Sequence, residues 1–175
     1  MRKIILISLL ALLPIFSYQK SLTIEKSVSS HFTQQVVCMA KNIYYESGSE
    51  TYEGKLAVAQ VTLNRVNNPR YPKDVCGVVY QKNVINNTMI CQFSWTCNKD
   101  TLTRNKYTWE ESLFVAKKAL TESNPHDAIS KSGALYYHAV YVNPGWNLPK
   151  TTQIGRHIFY KRYTDTQTMK KEIKI

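Results

Sequence analysis

The chain lacks the marks of several common functional classes. It has no C-x-x-C pair and no H-E-x-x-H pair among its 4 cysteines and 4 histidines, which disfavours a zinc site. No internal repeat is visible. Its longest apolar run, Ile4 to Phe16, falls short of the roughly 17–25 residues that cross a bilayer. Acids are scarce: 12 Asp and Glu stand against 23 Lys and Arg, a formal net charge of +11. So basic a chain suits an anionic partner: nucleic acid, a membrane surface or an anionic polymer.

What is present begins with Arg2 and Lys3, followed by that short apolar run. The proportions are those of a secretory signal over residues 1–17, or of an uncleaved N-terminal anchor. Either way export is expected, to the periplasm or to an extracellular, wall-associated place. Nucleic acid is then the least accessible partner, and envelope polymers bearing carboxylates or phosphates are the natural one. An even cysteine count in an exported chain argues for disulfides among Cys38, Cys76, Cys91 and Cys97. Four cysteines allow three pairings. Cys91 with Cys97 would close a short loop around Trp95, whereas Cys76 with either would tie that loop to the preceding helix.

Residues 18–33 are polar and read as a linker or arm. His31 has no acidic or cysteine neighbour and reads as a surface residue. A first helix is expected over Gln34–Ser47 with Thr33 as N-cap. Were it continued, Met39, Ile43, Glu46 and Glu50 would share one face. Two acids on an apolar stripe are unusual, because burying an ionised carboxylate is costly. A half-buried carboxyl has a raised pKa and can serve as a general acid. The plain reading is a fraying last turn around Gly48.

Tyr52–Asn67 reads as a second helix, apolar around most of its circumference and therefore central. Asn64 and Arg65 lie on it and need partners. A salt bridge from Arg65 to Glu50 or Glu53 is one option, with a structural role preferred. A short helix over Val75–Gln81, a polar loop over Lys82–Thr108 and a helix over Trp109–Leu120 capped by Thr108 should follow. Strands are expected at Gly133–Asn143 and Ile154–Tyr163, carrying His138 and His157, which would form a polar pair if they faced each other. A charged tail occupies residues 165–175.

The segments IYYESGSETYEGKLAVAQVTLNRV, YPKDVCGVVYQ, CQFSWTC, GALYYHAVYVNPGW and IGRHIFY resemble, in order, those of the SleB/CwlJ-type cell-wall hydrolases. The resemblance runs from about Val36 to Tyr160. It implies an α+β fold: a mainly helical, lysozyme- or transglycosylase-like catalytic domain over residues 34–164, with a small antiparallel hairpin or sheet near the C-terminus. It implies cleavage of peptidoglycan glycan strands by a lytic transglycosylase with Glu46 as acid and base, Glu50 orienting or tuning it. A hydrolytic muramidase or glucosaminidase would share Glu46 but use water. The competing class is a non-catalytic basic wall-binding module. Ser47 departs from the family, in which a small apolar residue commonly follows the glutamate. Tyr45, Gln92, Phe93, Ser94, Trp95, Tyr137, His138, Trp146 and His157 are the candidate substrate-binding residues, since aromatic rings offer flat surface to sugar C–H faces. No cofactor, no metal and no nucleic acid are expected, and the chain should act as a monomer.

Overall fold

The computed structural model describes residues 5–98 and 105–163, with side chains described from residue 23 onward. The charged tail lies outside those limits, and of the signal-like segment 1–17 only the backbone from residue 5 is described. Two compact units divide the chain, residues 1–34 and residues 35–175. Among the described residues no helix is long and apolar enough to cross a membrane.

Helix α1 runs Ile5–Ser47, so the linker or arm expected over residues 18–33 is helical. Thr33 caps nothing. Its hydroxyl donates to the Ser29 carbonyl at 2.9 Å, inside the helix. The physical reason is the absence of any glycine or proline from Ser17 to Ser47. A nucleated helix propagates through polar residues by one backbone bond per residue fixed. It stops at Gly48, where the backbone lies so close to the Tyr44 carbonyl that a Cβ would collide with it.

Helix α2 (Tyr52–Asn67) is the centre of the second unit, capped by Thr51, whose side chain accepts from the Gly54 amide. Every residue from Gly54 to Thr62 is buried. One side of α2 packs Leu56 and Ala59 against Met39, Ala40 and Ile43 of α1. Val75 and Val79 of α3 (Val75–Val79) and Val115 and Ala116 of α4 (Lys106–Thr121) complete that cluster. The other side packs Ala57 and Val61 against Ile129 of α5 (Asp127–Ser132) and Phe159 of the C-terminal sheet. The polar residues on this helix are matched. The Asn64 amide donates to the carbonyls of Ile129 and Ala134, at 3.0 and 2.9 Å. Buried Lys55 meets Glu111 at 2.6 Å, and Asn42 of α1 donates to the Thr62 hydroxyl.

Several elements differ from expectation. The cap of α4 is Asn105, which accepts from the Thr108 amide, so Thr108 lies inside the helix. The polar loop contains a hairpin, β1 (Lys82–Ile85) and β2 (Thr88–Cys91), turned by Asn86 and Asn87 at φ 50 and 60. Asparagine tolerates this left-handed geometry, and a two-residue turn with both φ positive suits the strand twist. The C-terminal sheet has three antiparallel strands in the order β3-β5-β4: β3 (Tyr136–Ala139), β4 (Lys150–Ile154) and β5 (His157–Tyr160). The extra strand, KTTQI, lies in the polar connection expected between two longer strands and ends at Ile154, where the second was expected to begin.

The disulfides are Cys38–Cys76, which fastens α1 to α3, and Cys91–Cys97, which closes the loop carrying Trp95. Loop-closure entropy makes their removal unequal. The bridge of sequence separation 38 should contribute about 4 kcal/mol and that of separation 6 about 2 kcal/mol, on the chain-entropy relation. Chemical denaturation of the paired Cys→Ser variants should show that order. The reverse order would mean that native contacts around Trp95 dominate.

Candidate active site

Glu46 sits on the last turn of α1, one residue before the helix ends. Its carboxyl is partly buried, and the Tyr137 hydroxyl of β3 donates to its Oε2 at 3.3 Å. Burial pushes the Glu46 pKa above the ordinary carboxylate range; the Tyr137 hydroxyl, the Arg65 guanidinium and the Trp95 indole pull it down without cancelling that rise. Desolvation is therefore the dominant effect. The Trp95 N–H is buried and has no partner in hydrogen-bonding geometry among the described residues, so its pull on Glu46 acts as a nearby dipole.

The Trp95 ring stacks on Tyr45 with centroids 4.6 Å apart, and Tyr80 meets it edge-on. Trp95 belongs to a single 3-10 turn, Ser94–Thr96, inside the small disulfide loop. Beneath lies Arg65, 4% exposed. Its Nε donates to the Leu135 carbonyl at 2.9 Å, its guanidinium rests over the rings of Phe93 and Tyr71, and its Nη1 has no partner among the described residues. Arg65 therefore pairs with neither Glu50 nor Glu53. It is a buried cation whose field reaches Glu46, Tyr137 and Tyr71.

Glu50 is not one helical turn beyond Glu46. Because α1 ends at Ser47, Glu50 lies in a turn, its amide donating to the Ser47 carbonyl. Its side chain is buried and aimed at the β4–β5 turn. There the Arg156 amide reaches Oε2 at 3.1 Å and the Arg156 Nε reaches Oε1 at 2.8 Å. Arg156 Nη2 also donates to the Ser49 hydroxyl. Gly155, at φ +54, leaves no room for a Cβ beside the Glu50 carboxylate. Burial alone would raise the Glu50 pKa, but the hydrogen bonds from Arg156 outweigh it, and His157 adds to them, so the pKa lies below the usual value. Glu50 does not figure among the groups that set the Glu46 pKa.

The sheet register separates the remaining candidates. Tyr137 pairs with Phe159 and Ala139 with His157, whereas His138 pairs with Ile158. Directly opposed residues share a face and successive residues alternate. His157 and Tyr137 thus lie together, in edge-to-face contact. His138 lies on the other face, where its Nε2 meets the Tyr160 hydroxyl at 2.9 Å and Trp146 packs against it. His138 and His157 accordingly do not face each other, and Trp146 does not join the Glu46 cluster. Phe93 is buried in the core. Ser94 is exposed and Gln92 partly buried, the Gln92 amide donating to the Gln81 carbonyl. His157 is buried with no partner for Nδ1 among the described residues, and burial lowers its pKa. Ser47 is buried, its hydroxyl donating to the Ile43 carbonyl, so the family departure is accommodated inside the helix. Arg156 was not a candidate from sequence; a cation beside a turn glycine gives no sign of which acid it will meet.

The Glu50–Arg156 bridge carries a pH signature. A carboxyl whose folded pKa is depressed contributes stability above its unfolded value, near 4.3, and loses it as pH falls through the folded one. Glu50→Gln should lower stability at neutral pH by about 1.5–3 kcal/mol, the range for hydrogen bonds to a charged group. The gap from the parent should narrow as pH falls through the lowered Glu50 pKa and close below it, where both side chains are neutral. Thermal unfolding across pH checks this. A gap that persists undiminished in acid would assign the loss to packing.

Comparison with known proteins places this geometry. The family pattern described as Cell Wall Hydrolase matches residues 49–160, a segment that includes Glu50 and begins just after Glu46. Spore cortex-lytic enzymes are similar: that of Oceanobacillus iheyensis is 30% identical over 125 residues, covering 70% of this chain and 40% of the relative. That of Bacillus cereus is 33% identical over 131 residues, covering 70% and 42%. The chain thus spans about two fifths of the length of these curated relatives. The crystal structure of the catalytic domain of the Bacillus cereus SleB protein superposes with a TM-score of 0.53 at 28% identity, covering 74% of this chain and 91% of that one. The catalytic domain of the germination-specific lytic transglycosylase SleB from Bacillus anthracis gives 0.51 at 28% identity, covering 73% and 93%. With the family pattern across most of its length and the same fold beneath it, the chain belongs to the SleB/CwlJ-type cell wall hydrolases.

Proposed function

We propose that this protein cleaves the glycan strands of peptidoglycan as a lytic transglycosylase, with Glu46 as its acid and then its base. The observation that carries the reading is the contrast between the two glutamates. Glu46 is half-buried with a raised pKa, so part of it remains protonated where an ordinary glutamate is ionised. Glu50 is locked to Arg156 and held ionised. One carboxyl is thus left to move protons.

Cleavage requires a proton on the leaving glycosidic oxygen while positive charge develops on the sugar. Glu46 donates that proton as the C1–O4 bond breaks. The resulting carboxylate accepts the hydrogen bond from Tyr137 and feels the Arg65 cation, both of which favour the ionised form. That carboxylate then takes the proton of the sugar's own 6-hydroxyl as O6 bonds to C1. The product is a 1,6-anhydro end, and Glu46 is protonated again. No second carboxylate and no water is consumed. The relative from Bacillus anthracis named a lytic transglycosylase supports this choice. The stacked Tyr45 and Trp95 rings beside Glu46 offer apolar surface to a sugar face.

Two measurements test the reading. Glu46→Gln keeps the shape but cannot deliver a proton, so fragment release should fall by about 10²–10⁴-fold, with folding intact. Mass spectrometry of fragments from the parent should show anhydro ends, lighter by one water than hydrolysed ends; hydrolysed ends would make the enzyme a muramidase or glucosaminidase. Retained release in Glu46→Gln together with its loss in Glu50→Gln would move the acid to Glu50.

The pH profile gives an independent check. Activity should fall on the alkaline side as the acid form of Glu46 is lost. Tyr137→Phe removes a hydrogen bond that favours the ionised form, so the Glu46 pKa rises further. The alkaline limb should therefore move to higher pH even as the maximal rate drops. A limb that stays in place, or moves to lower pH, would show that it reports another group.

A further inference from the structure

The cations of this protein fall into two groups. Several of those described are engaged. Lys55 meets Glu111, Lys118 meets Glu122, Lys131 meets Asp127 and Arg156 meets Glu50. Lys73 donates to the Asn68 carbonyl, at the end of α2. Arg70, Lys161 and Arg162, like Lys82 and Lys117, have no carboxylate within ion-pair distance among the described residues. All three nonetheless line one cavity of about 490 Å³. No acidic residue lines it, and Asn68 and Ser132 add polar side chains.

The backbone beneath these cations is fixed. The Arg70 amide donates to the Asn68 side-chain oxygen at 3.0 Å. The Lys161 amide donates to the Pro149 carbonyl at 3.1 Å, one residue beyond the end of β5. Three like charges gathered without counter-charge repel one another, which an anionic guest relieves. Arg presents paired N–H groups that match the oxygens of a carboxylate or phosphate. We propose that the cavity formed by Arg70, Lys161 and Arg162 binds an anionic oxygen group, a carboxylate or a phosphate ester, carried by the wall polymer. This rests on the wall-cleaving function proposed above and adds to it a second point of attachment, distinct from the Glu46 cluster. In the wall, stem-peptide carboxylates and phosphodiester polymers both carry that chemistry.

The test is cosedimentation of the full chain, carrying Glu46→Gln to prevent digestion, with three wall preparations. These are whole walls, walls stripped of phosphodiester polymers, and bare glycan without stem peptides or phosphodiesters. The triple variant Arg70→Gln, Lys161→Gln, Arg162→Gln should bind whole walls about tenfold more weakly, as three modest exposed ion pairs would give. Lys82→Gln, Lys106→Gln, Lys117→Gln removes the same charge from exposed positions elsewhere and should bind within about twofold of the parent, since dispersed surface charge is screened. A gap that persists on phosphate-stripped walls and closes on bare glycan identifies carboxylates. A gap that closes on phosphate-stripped walls identifies phosphate esters. Equal binding by the two triple variants on whole walls overturns the proposal, as does an undiminished gap on bare glycan. The single variant Arg162→Gln, at an exposed position, should give a smaller loss in the same direction and guards against misfolding of the triple variant. Fragment release from bare glycan, measured with Glu46 restored, should be equal in all variants. Absence of release there would count against the glycan-cleaving function and leave the anion site to be judged by binding alone.

Discussion

The candidate site depends on where one buried carboxylate is anchored. Glu50 occupies the corner between α1 and α2, and through Arg156 it holds that corner to the turn of a sheet more than a hundred residues later in the chain. The same sheet supplies Tyr137 to Glu46. The bridge thus works with the packing of α2 on Phe159 and the Arg65–Leu135 hydrogen bond to hold the helices in place beside the sheet that carries Tyr137. The bridge is half-wet on the Arg156 side and nearly dry on the Glu50 side, with side-chain exposures of 57% and 4%. Solvent screens the cation, so the Coulombic attraction is modest. The cost falls on an unmatched Glu50, whose carboxylate would then sit desolvated beside Gly155.

Much of the helical frame was legible from spacing. Leu56, Ala59 and Leu63, widened by Ala57, Val58 and Val61, mark α2 as a helix with little exposed surface, and it spans Tyr52–Asn67 as that pattern indicates. The reason is that a central helix leaves its burial in the sequence as apolar residues on every side. The need of Asn64 and Arg65 for partners was legible too, but the partners were not. Both reach backbone carbonyls at the junction of α5 and β3, and a carbonyl has no sequence signature. The N-terminal helix escaped for a different reason. Ile24, Val28 and Phe32 recur every fourth residue but are exposed, at 55%, 64% and 38%, and the polar residues between them masked the period.

The site itself was half legible. The stripe argument singled out Glu46 and Glu50 as acids in an apolar context, but it put them on one face only if the helix continued past Ser47. Gly48 ends the helix between them, and that small change in backbone path sends the two side chains to different surroundings. Strand residues were harder still. Tyr136, Tyr137 and His138 look alike as site candidates in the sequence, yet a sheet sends alternate residues to opposite faces. Only the register can say that Tyr137 turns toward Glu46 while His138 turns toward Trp146 and Tyr160.

Under the proposed mechanism Glu46 faces two opposed requirements, and Arg65 bears on both. A general acid needs a raised pKa, and burial supplies it; the same burial would make the carboxylate left after proton transfer costly. Direct hydrogen bonds from a cation would solve the second problem by abolishing the first, as those of Arg156 do for Glu50. Arg65 instead spends its directional contacts on the Leu135 carbonyl and on the faces of Phe93 and Tyr71. It acts on Glu46 as a nearby field and forms no salt bridge with it. Tyr137 contributes in the same graded way, through one long hydrogen bond of 3.3 Å. The net effect leaves Glu46 on the raised side of its ordinary value. Two glutamates four residues apart in sequence thus shift in opposite directions, because Arg156 hydrogen-bonds Glu50 directly whereas Glu46 only senses the field of Arg65.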